Sequence, residues 1–395
     1  MEKAIIVVPT YWGREREERL KGDIVFDHPI PLDEEGTLGR CLESLNIIKG
    51  KFLVLLIVAP VHPEISDKVE ERVKEIVSKV ERHYPLLTFF PSYLKELYRY
   101  FESRIKEIRE IVNTKGYSQV RNLCILFPLI LGAECAILVD DDEVVEEEDF
   151  LETALEFQGK DFEGKRIGAK AGYYLQPHGS PFFKGRNLWW KRPFWDNRKK
   201  MNQAFSIIEQ EPRIKDTPFA FGGNMVIFRE LLESGVSFDP WIGRGEDLDY
   251  LVSAKMAGFA FVLDNRLKIK HLQPASRQEA WRKMKEDIKR FLYMRIKLKK
   301  AKFPINDLNP YPGYFLTPYL RLKAALTSIL LGMDYLLKFK VKGLFPSLGN
   351  ILLSFRGFGR DVEKYSFFQR RWKGILPHFK EAASLRAYLE KRIAR

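Results

Sequence analysis

Short, almost purely apolar runs alternate with amphipathic stretches through the first third of the chain. The apolar runs at 4–9, 52–59 and 136–139 predict buried β-strands, because segments of this length without polar residues are typical of strands covered on both faces. Apolar residues recur at helical spacing between them, over 37–45, 64–82, 92–113 and 121–131. This alternation predicts an α/β fold, with a mostly parallel sheet flanked by helices.

The pattern changes after residue 165. An irregular segment over 176–216 is rich in aromatic and basic residues, and loops of this length are usually functional or mobile. We expect strands before and after it and one more helix and strand, over 167–174, 219–228, 248–257 and 259–263. From residue 276 onward the spacing is helical, notably over 279–300 and 320–339. We therefore predict an α/β domain over 1–275 and a basic helical C-terminal region over 276–395.

Composition indicates a folded protein whose partners are anionic. Apolar residues make up 45% of the chain and no uncharged apolar run reaches the length of a membrane span. The start, Met1-Glu2-Lys3, leads directly into the first strand, so we expect no signal peptide and a cytoplasmic location. A net charge of +13 favours nucleotide phosphates, a phosphorylated acceptor, nucleic acid or an anionic membrane surface as partner. Abundant Lys, Glu, Arg and Ile with scarce Asn and Gln suggest a thermophilic source.

The third buried strand runs into four consecutive carboxylates, Asp140-Asp141-Asp142-Glu143. Carboxylates at the end of a buried strand repel one another and lose solvation, and a divalent metal with oxygen ligands would offset both effects. The carboxyl ends of strands in an open α/β sheet are also where ligands bind. The alternative is an acidic turn that opens the next helix; we favour the metal site.

Other segments carry candidate binding chemistry. The first strand ends in Pro9-Thr10-Tyr11, which suits stacking and hydrogen bonding to a nucleoside. Lys115 and Arg121, near a predicted helix start, suit a diphosphate. Ordinary turns and surface charges remain the alternatives for both.

Three further segments complete the set of candidates. Gly222-Gly223-Asn224 permits close approach of a ligand, or is a bulge. Glu246 and Asp247 open a helix, where a carboxylate can act as general base or as helix cap. His271 follows the last strand and can ligate a metal.

Taken in order, these motifs resemble the GT-A class of nucleotide-sugar glycosyltransferases, most closely glycosyltransferase family 2. The resemblance covers about residues 4–275 and runs through the first strand end, 38–45, Arg121-Asn122, the DXD motif in Asp140-Asp141-Asp142, Gly222-Gly223-Asn224, 245–249 and His271. It implies a divalent metal, Mg²⁺ or Mn²⁺, bound by Asp142 with Asp140 and His271. It also implies that Asp247, with Glu246 beside it, is the general base of an inverting transfer.

The resemblance further implies the two substrates. The donor would be a nucleotide sugar bound by Pro9, Thr10, Tyr11, Lys115, Arg121, Asp140, Asp141, Gly222, Gly223 and Asn224. The second strand runs into Ala59-Pro60 without the acidic residue that family members often carry there, so UDP and GDP both stay open. The thermophile-like composition prompts GDP-mannose, and hence a mannosyltransferase. The acceptor hydroxyl, on a sugar, a phosphorylated solute or a lipid-linked molecule, would lie under 176–216 near Trp189, Trp190 and Arg244.

Two other functions are compatible with parts of the sequence. A nucleotidyltransferase also pairs a parallel sheet with metal-binding carboxylates, but 10–14 supplies only one glycine for a phosphate loop. A nucleic-acid-binding protein would explain the charge and leave both acidic clusters unexplained. For the C-terminal helices, dimerisation, acceptor binding and peripheral membrane contact on the inner face of the membrane stay open beside simple packing on the catalytic domain.

Overall fold

The structure of the chain is a computed structural model, and it describes residues 3–17, 20–26, 28–101, 107–272 and 279–394. Its strands are β1 (Ala4–Trp12), β2 (Leu53–Pro60), β3 (Leu86–Phe89), β4 (Cys135–Leu138), β5 (Glu143–Val144), β6 (Asp161–Phe162), β7 (Lys165–Leu175), β8 (Ile214–Asp216), β9 (Met225–Phe228) and β10 (Ala260–His271). Every residue of β1, β2 and β4 is buried, as the apolar runs predicted.

The helices lie on both sides of the sheet and continue to the C-terminus. They are α1 (Leu38–Ser44), α2 (Ser66–Lys79), α3 (Leu94–Phe101), α4 (Ile108–Ile111), α5 (Tyr117–Leu131), α6 (Phe150–Leu155), α7 (Asn197–Phe205), α8 (Arg229–Ser234), α9 (Glu246–Met256), α10 (Ala280–Lys300), α11 (Leu320–Leu337), α12 (Val341–Ser354), α13 (Gly359–Lys380) and α14 (Ala383–Glu390). Among the described residues, no helix is long and apolar enough to cross a membrane.

The sheet has the strand order β3-β2-β1-β4-β9-β7-β10-β5, with β6 beside β7 and β8 beside β10. Strands β3, β2, β1 and β4 are mutually parallel, and β7 is parallel to β10. β9 runs antiparallel to both β4 and β7, so β7 and β10 point the same way as β1. The expected α/β fold with a mostly parallel sheet flanked by helices is therefore confirmed, and six carboxyl ends meet at one edge.

Several element boundaries differ from those predicted. The strand expected over 219–228 is confined to β9, while the strand expected over 259–263 continues to His271 as β10. The segment 176–216 contains helix α7 and strand β8. The helix predicted over 92–113 is found as α3 and α4, and the residues between them lie partly outside the described ones.

The three cysteines, Cys41, Cys124 and Cys135, are buried and free. The boundary predicted between 275 and 276 falls outside the described residues, so the division into two domains and the cytoplasmic location stay predictions. Helix α10 nevertheless bonds directly to the α/β part: Lys297 Nζ lies 2.7 Å from Asp249 Oδ2 in α9 and 3.2 Å from Asp239 Oδ2.

Candidate active site

A cleft of about 1090 Å³ opens at the edge where the parallel strands end. It is lined by Tyr11 of β1, by Asp140, Asp141 and Asp142 after β4, and by His271 at the end of β10. Glu246 and Asp247, the first residues of α9, line it as well. Its volume slightly exceeds the usual range for small-molecule sites, about 300–1,000 Å³, which suits two substrates bound together.

Asp142, Glu143 and His271 form a cluster with the chemistry of a metal site. One ligand atom from each lies within 4.8 Å of the other two, and His271 Nε2 is 3.3 Å from Asp142 Oδ2. The antiparallel pairing of β5 with β10 sets Glu143 opposite His271, and the Leu272 N–H donates to the Asp142 carbonyl. Strand pairing therefore brings together ligands that are more than a hundred residues apart in sequence.

Glu143 is the ligand candidate that sequence reasoning missed. Its Oε2 accepts a hydrogen bond from the Asp140 N–H, its Oε1 is buried without a hydrogen bond of good geometry among the described residues, and the Tyr174 hydroxyl lies near the carboxyl. Burial, with Asp140 and Asp142 nearby, raises the pKa of Glu143 well above its usual value. The acidic run itself was visible in the sequence, but the pairing that sets Glu143 against His271 was not.

Asp140 and Asp141 lie beside this cluster, each with a partner of its own. Asp140 Oδ1 is 2.7 Å from Arg121 Nη2, and Asp141 Oδ2 accepts a 2.6 Å hydrogen bond from the Thr10 hydroxyl. Burial raises the pKa of both carboxyls, despite Arg121 near Asp140 and the hydrogen bond to Asp141. Several buried carboxyl groups this close together are difficult to ionise at the same time. A bound cation would stabilise their charged forms.

Arg121 joins this acidic cluster to the second one. Its guanidinium is buried, pairs with Asp140 and lies 3.5 Å from Glu246 Oε1. A Cβ on Gly222 would come within 2.8 Å of Arg121 Nη2, so the glycine leaves the space that the guanidinium occupies. Arg121 lines the cleft, where its charge is shared between the two acidic groups.

Gly223 and Asn224 support the site from behind and do not line the cleft. A Cβ on Gly223 would lie 2.2 Å from Glu143 Oε1, and the Gly223 N–H donates to the Tyr174 hydroxyl. Asn224 is fully buried, and its Nδ2 donates to the carbonyls of Tyr173 and Leu267. Of the three residues predicted to contact the donor here, only Gly222 faces the cleft.

Glu246 and Asp247 are held at the start of α9. Burial, and next the charge of Asp247, raises the pKa of Glu246 to about 7 although Arg121 opposes the shift. Burial also raises the pKa of Asp247, whose Oδ1 accepts a hydrogen bond from the Leu248 N–H. A carboxyl with a pKa near neutrality at a cleft is suited to proton transfer.

Cationic groups border the cleft beside Asp247. Arg290 of α10 lies 3.0 Å from Asp287 and donates to the Tyr311 hydroxyl, and Arg244 lies 3.7 Å from the same Asp287. Arg244, Arg290 and Tyr311 all line the cleft. Arg244 was predicted here; Arg290 and Tyr311 were not, because nothing distinguishes them in sequence from the many other basic and aromatic residues after 276.

Several predicted site residues lie elsewhere. Pro9 and Thr10 are buried within β1, and Lys115 is exposed without lining the cleft. Trp189 donates its indole N–H to Asp334 of α11, and Trp190 is only 1% exposed. Neither tryptophan lines the cleft; Trp190 is packed within the protein, whereas Trp189 is 38% exposed and bonded to α11, so their contact with an acceptor stays a prediction.

Three aromatic side chains that pack on one another also line the cleft. The ring centroids of Tyr11 and Phe26 are 4.6 Å apart, and those of Tyr11 and Tyr117 are 4.7 Å apart. All three residues line the cleft. Phe26 belongs to the segment after β1 for which the sequence suggested no role.

No protein-family model matches this chain, and no curated protein matches it. Among solved structures, it is similar to the mannosyltransferase PcManGT from Pyrobaculum calidifontis, in complex with GDP-Man and Mn²⁺ (TM-score 0.44, 14% identity, 96% of this chain and 88% of that one). It is also similar to S. aureus TarS (0.41, 12%, 99% and 55%) and to GalNAc-T7 with UDP, GalNAc and Mn²⁺ (0.38, 11%, 79% and 54%). These identities and TM-scores are too low to assign a reaction to this chain.

Proposed function

We propose that this protein is a metal-dependent, inverting glycosyltransferase that moves a sugar from a nucleotide-sugar donor to a hydroxyl of an anionic acceptor. One observation carries the proposal: a cluster of metal-ligand type and a second acidic pair face the same cleft at the carboxyl edge of the sheet, with Arg121 between them. A metal-binding end and a proton-accepting end are the two parts that such a transfer needs.

Asp142, Glu143 and His271 would hold the cation. Their ligand atoms are close enough to share one ion, and Glu143 Oε1 is a buried acceptor of the kind that an ion would satisfy. Carboxylate oxygens suit Mg²⁺ and Mn²⁺, and imidazole suits transition metals, which favours Mn²⁺ over Mg²⁺ for this set. When bound, the cation would neutralise charge on the departing diphosphate.

The donor would lie between this cluster and the aromatic residues that line the cleft. Tyr117, the half-buried member of this aromatic group, offers a ring surface for a nucleoside base, and the buried rings of Tyr11 and Phe26 pack against it. Both UDP- and GDP-sugars fit these requirements, and GDP-mannose, suggested by the composition, is the first donor to test. The acceptor would lie beside Asp247, where Arg244 and Arg290 favour a phosphorylated or otherwise anionic molecule.

Asp247 would act as the general base. Its Oδ1 is occupied by the Leu248 N–H, which leaves Oδ2 to accept the proton of the acceptor hydroxyl. The acceptor oxygen then forms a bond to the anomeric carbon while the bond from that carbon to the diphosphate oxygen breaks. Because attack and departure occur on opposite faces, the anomeric configuration inverts.

The experiment is a transfer assay across UDP- and GDP-sugars, with and without Mn²⁺, on the wild type and two variants. Asp142→Asn should lower metal-dependent transfer by about 100-fold or more, since ligand loss removes charge stabilisation of the leaving group. Asp149→Asn is the matched control, because Asp149 belongs to the same acidic stretch, is exposed and does not line the cleft. Transfer that persists in EDTA, or that Asp142→Asn leaves intact, would contradict the metal site.

The base is tested separately. Asp247→Asn should retain donor binding, measured by a thermal shift with the nucleotide sugar, and lose about 10²- to 10⁴-fold in kcat. Loss of donor binding together with activity would instead give Asp247 a structural role.

A further inference from the structure

Helices α11 and α12 form a hairpin, here the segment 319–355, that carries most of the exposed large apolar side chains of the described residues. Twelve of the twenty large apolar residues that are exposed among the described residues lie in it. They are between 42% and 92% exposed: Tyr319, Leu322, Ile329, Met333, Leu336, Leu337, Phe339, Val341, Phe345, Leu348, Leu352 and Phe355. A patch this concentrated in about a tenth of the chain marks an interaction surface, since scattered single residues would need no explanation.

The buried side of α12 is small and polar. Gly343, Ser347, Asn350 and Ser354 face inward at helical spacing, whereas the most exposed side chains of the same helix are large and apolar: Val341, Phe345, Leu348 and Leu352. A helix at the surface of a water-soluble domain has the opposite arrangement, with its apolar stripe toward the core. The inverted pattern is typical of helices that contact lipid, whose neighbours approach through small residues.

Close packing fixes which face is exposed. A Cβ on Gly343 would lie 2.1 Å from the Tyr335 ring, so α12 meets α11 through a glycine. The Tyr335 hydroxyl donates to Glu279, and Asn350 Nδ2 donates to the Trp281 carbonyl. The inner face of the hairpin is thereby bonded to the start of α10, and the apolar face is left outward.

The charges of the hairpin select an anionic partner. It holds five basic residues, Arg321, Lys323, Lys338, Lys340 and Lys342, and one acidic residue, Asp334. Asp334 is buried and bonded to Trp189 and Lys338. At the tip, exposed Lys338, Lys340 and Lys342 alternate with Phe339 and Val341. Apolar groups among cations match a bilayer with anionic headgroups, whereas a second copy would bring like-charged tips together.

The dimensions favour docking over crossing. Helix α12 has 14 residues, about 21 Å at 1.5 Å per residue, which is short of the ~30 Å hydrocarbon core. Lysines also interrupt the apolar sequence at the turn between the two helices. We propose that the hairpin 319–355 docks in the interface of an anionic lipid bilayer.

Docking would set the cleft beside the membrane. Glu279, which accepts the hydrogen bond from Tyr335, also lines the cleft, as does Arg282 one turn further along. The hairpin and the mouth of the cleft are thus attached to the same end of α10. The docking itself does not depend on the reaction proposed above, and the test below needs no substrate.

The test is flotation of the full chain with vesicles of phosphatidylcholine, alone or mixed with phosphatidylglycerol. Wild type should float with the mixed vesicles. Phe345→Asp with Leu352→Asp should lower the partition coefficient by about 100-fold or more, because two large side chains no longer enter the apolar layer. The matched control is Phe367→Asp with Met256→Asp, two exposed apolar residues outside the hairpin, which should float like wild type.

The lysines give an independent measure. Lys340→Gln with Lys342→Gln should weaken binding to the mixed vesicles by about 5-fold per lysine, the equivalent of ~1 kcal/mol each, and leave binding to phosphatidylcholine alone unchanged. Circular dichroism and sedimentation velocity check that each variant is folded and report its oligomeric state. Absence of flotation, equal loss in the control pair, or a wild-type dimer that Phe345→Asp with Leu352→Asp dissociates would overturn membrane docking.

Discussion

The raised pKa of Glu246 predicts how the stability of the fold should depend on pH. The carboxyl is buried at the start of α9, and its pKa rises from 4.5 to about 7 through burial and through Asp247. A carboxyl whose pKa is higher in the folded state binds its proton more tightly there. It therefore stabilises the fold below pH 4.5, and this contribution is lost as the pH rises through 7.

The magnitude follows from the two pKa values. The pKa of this carboxyl is 4.5 in the unfolded chain and about 7 in the folded one. Its contribution to the free energy of unfolding therefore falls by about 2.5 kcal/mol between pH 5 and pH 8. Glu246→Gln replaces the carboxyl by a group of similar size that does not titrate. The variant should thus be less sensitive to this pH change than wild type by about that amount, and relatively more stable at pH 8.

The assay is urea unfolding at both pH values in EDTA, so that no bound cation alters the field of the cleft. Tryptophan fluorescence can follow the transition, because the chain contains seven tryptophans. The quantity compared is the difference in unfolding free energy between variant and wild type at pH 8 minus the same difference at pH 5. Groups distant from Glu246 titrate equally in both proteins and cancel in this double difference, which reports Glu246 together with its neighbour Asp247.

A matched variant separates burial from the loss of any glutamate. Glu230 is an exposed glutamate in the first turn of α8, so Glu230→Gln should leave the double difference near zero. If Glu246→Gln also gave a double difference near zero, the carboxyl would not be buried next to Asp247 as described, and the case for a proton acceptor in this pair would weaken.

Two further predictions concern residues that support the site. Lys297→Met should lower the free energy of unfolding by about 3–5 kcal/mol in urea titrations, because it leaves the buried carboxylate of Asp249 without its cation; an effect below 1 kcal/mol would contradict this pairing. Gly223→Ala should lower Mn²⁺ affinity about 10-fold or more in calorimetric titration, because its Cβ would displace Glu143, whereas Gly349→Ala, where the added Cβ meets open space, should not; equal Mn²⁺ affinity in both variants would refute the role of Glu143.

The fold was predictable from local pattern wherever a strand is buried on both faces. The runs in β1, β2 and β4 are apolar throughout because helices cover the sheet on each side. Because these strands could be predicted, so could the position of Asp140 to Asp142 at the carboxyl edge of the sheet, where they line the cleft. The arrangement that surrounds them depended on pairings that no local pattern encodes, such as the antiparallel insertion of β9 between β4 and β7.

Side-chain direction was the least predictable property. Glu143 turns toward His271 only because β5 pairs with β10, and Asn224 turns inward to bond β7 to β10. Aromatic and basic composition could not distinguish a sugar-binding tryptophan from one that packs on another helix, and Trp189 bonds to α11. Arg290 reaches the cleft from the region after 276, where the sequence suggested no catalytic role.

The contacts of α10 determine how the membrane proposal can be tested. Lys297 is buried against Asp249 and Asp239, and Arg290 lies at the cleft, so removing residues 276–395 would remove cations that the α/β part needs. Such a truncation would leave the buried carboxylate of Asp249 without its cation, in the helix α9 that begins with Glu246. A loss of activity would then not show whether lipid binding matters. Substitutions on the outer face of 319–355 avoid this difficulty, because those side chains make their contacts with solvent. If they abolish flotation and leave turnover of a soluble acceptor unchanged, docking and catalysis are separable properties of one chain.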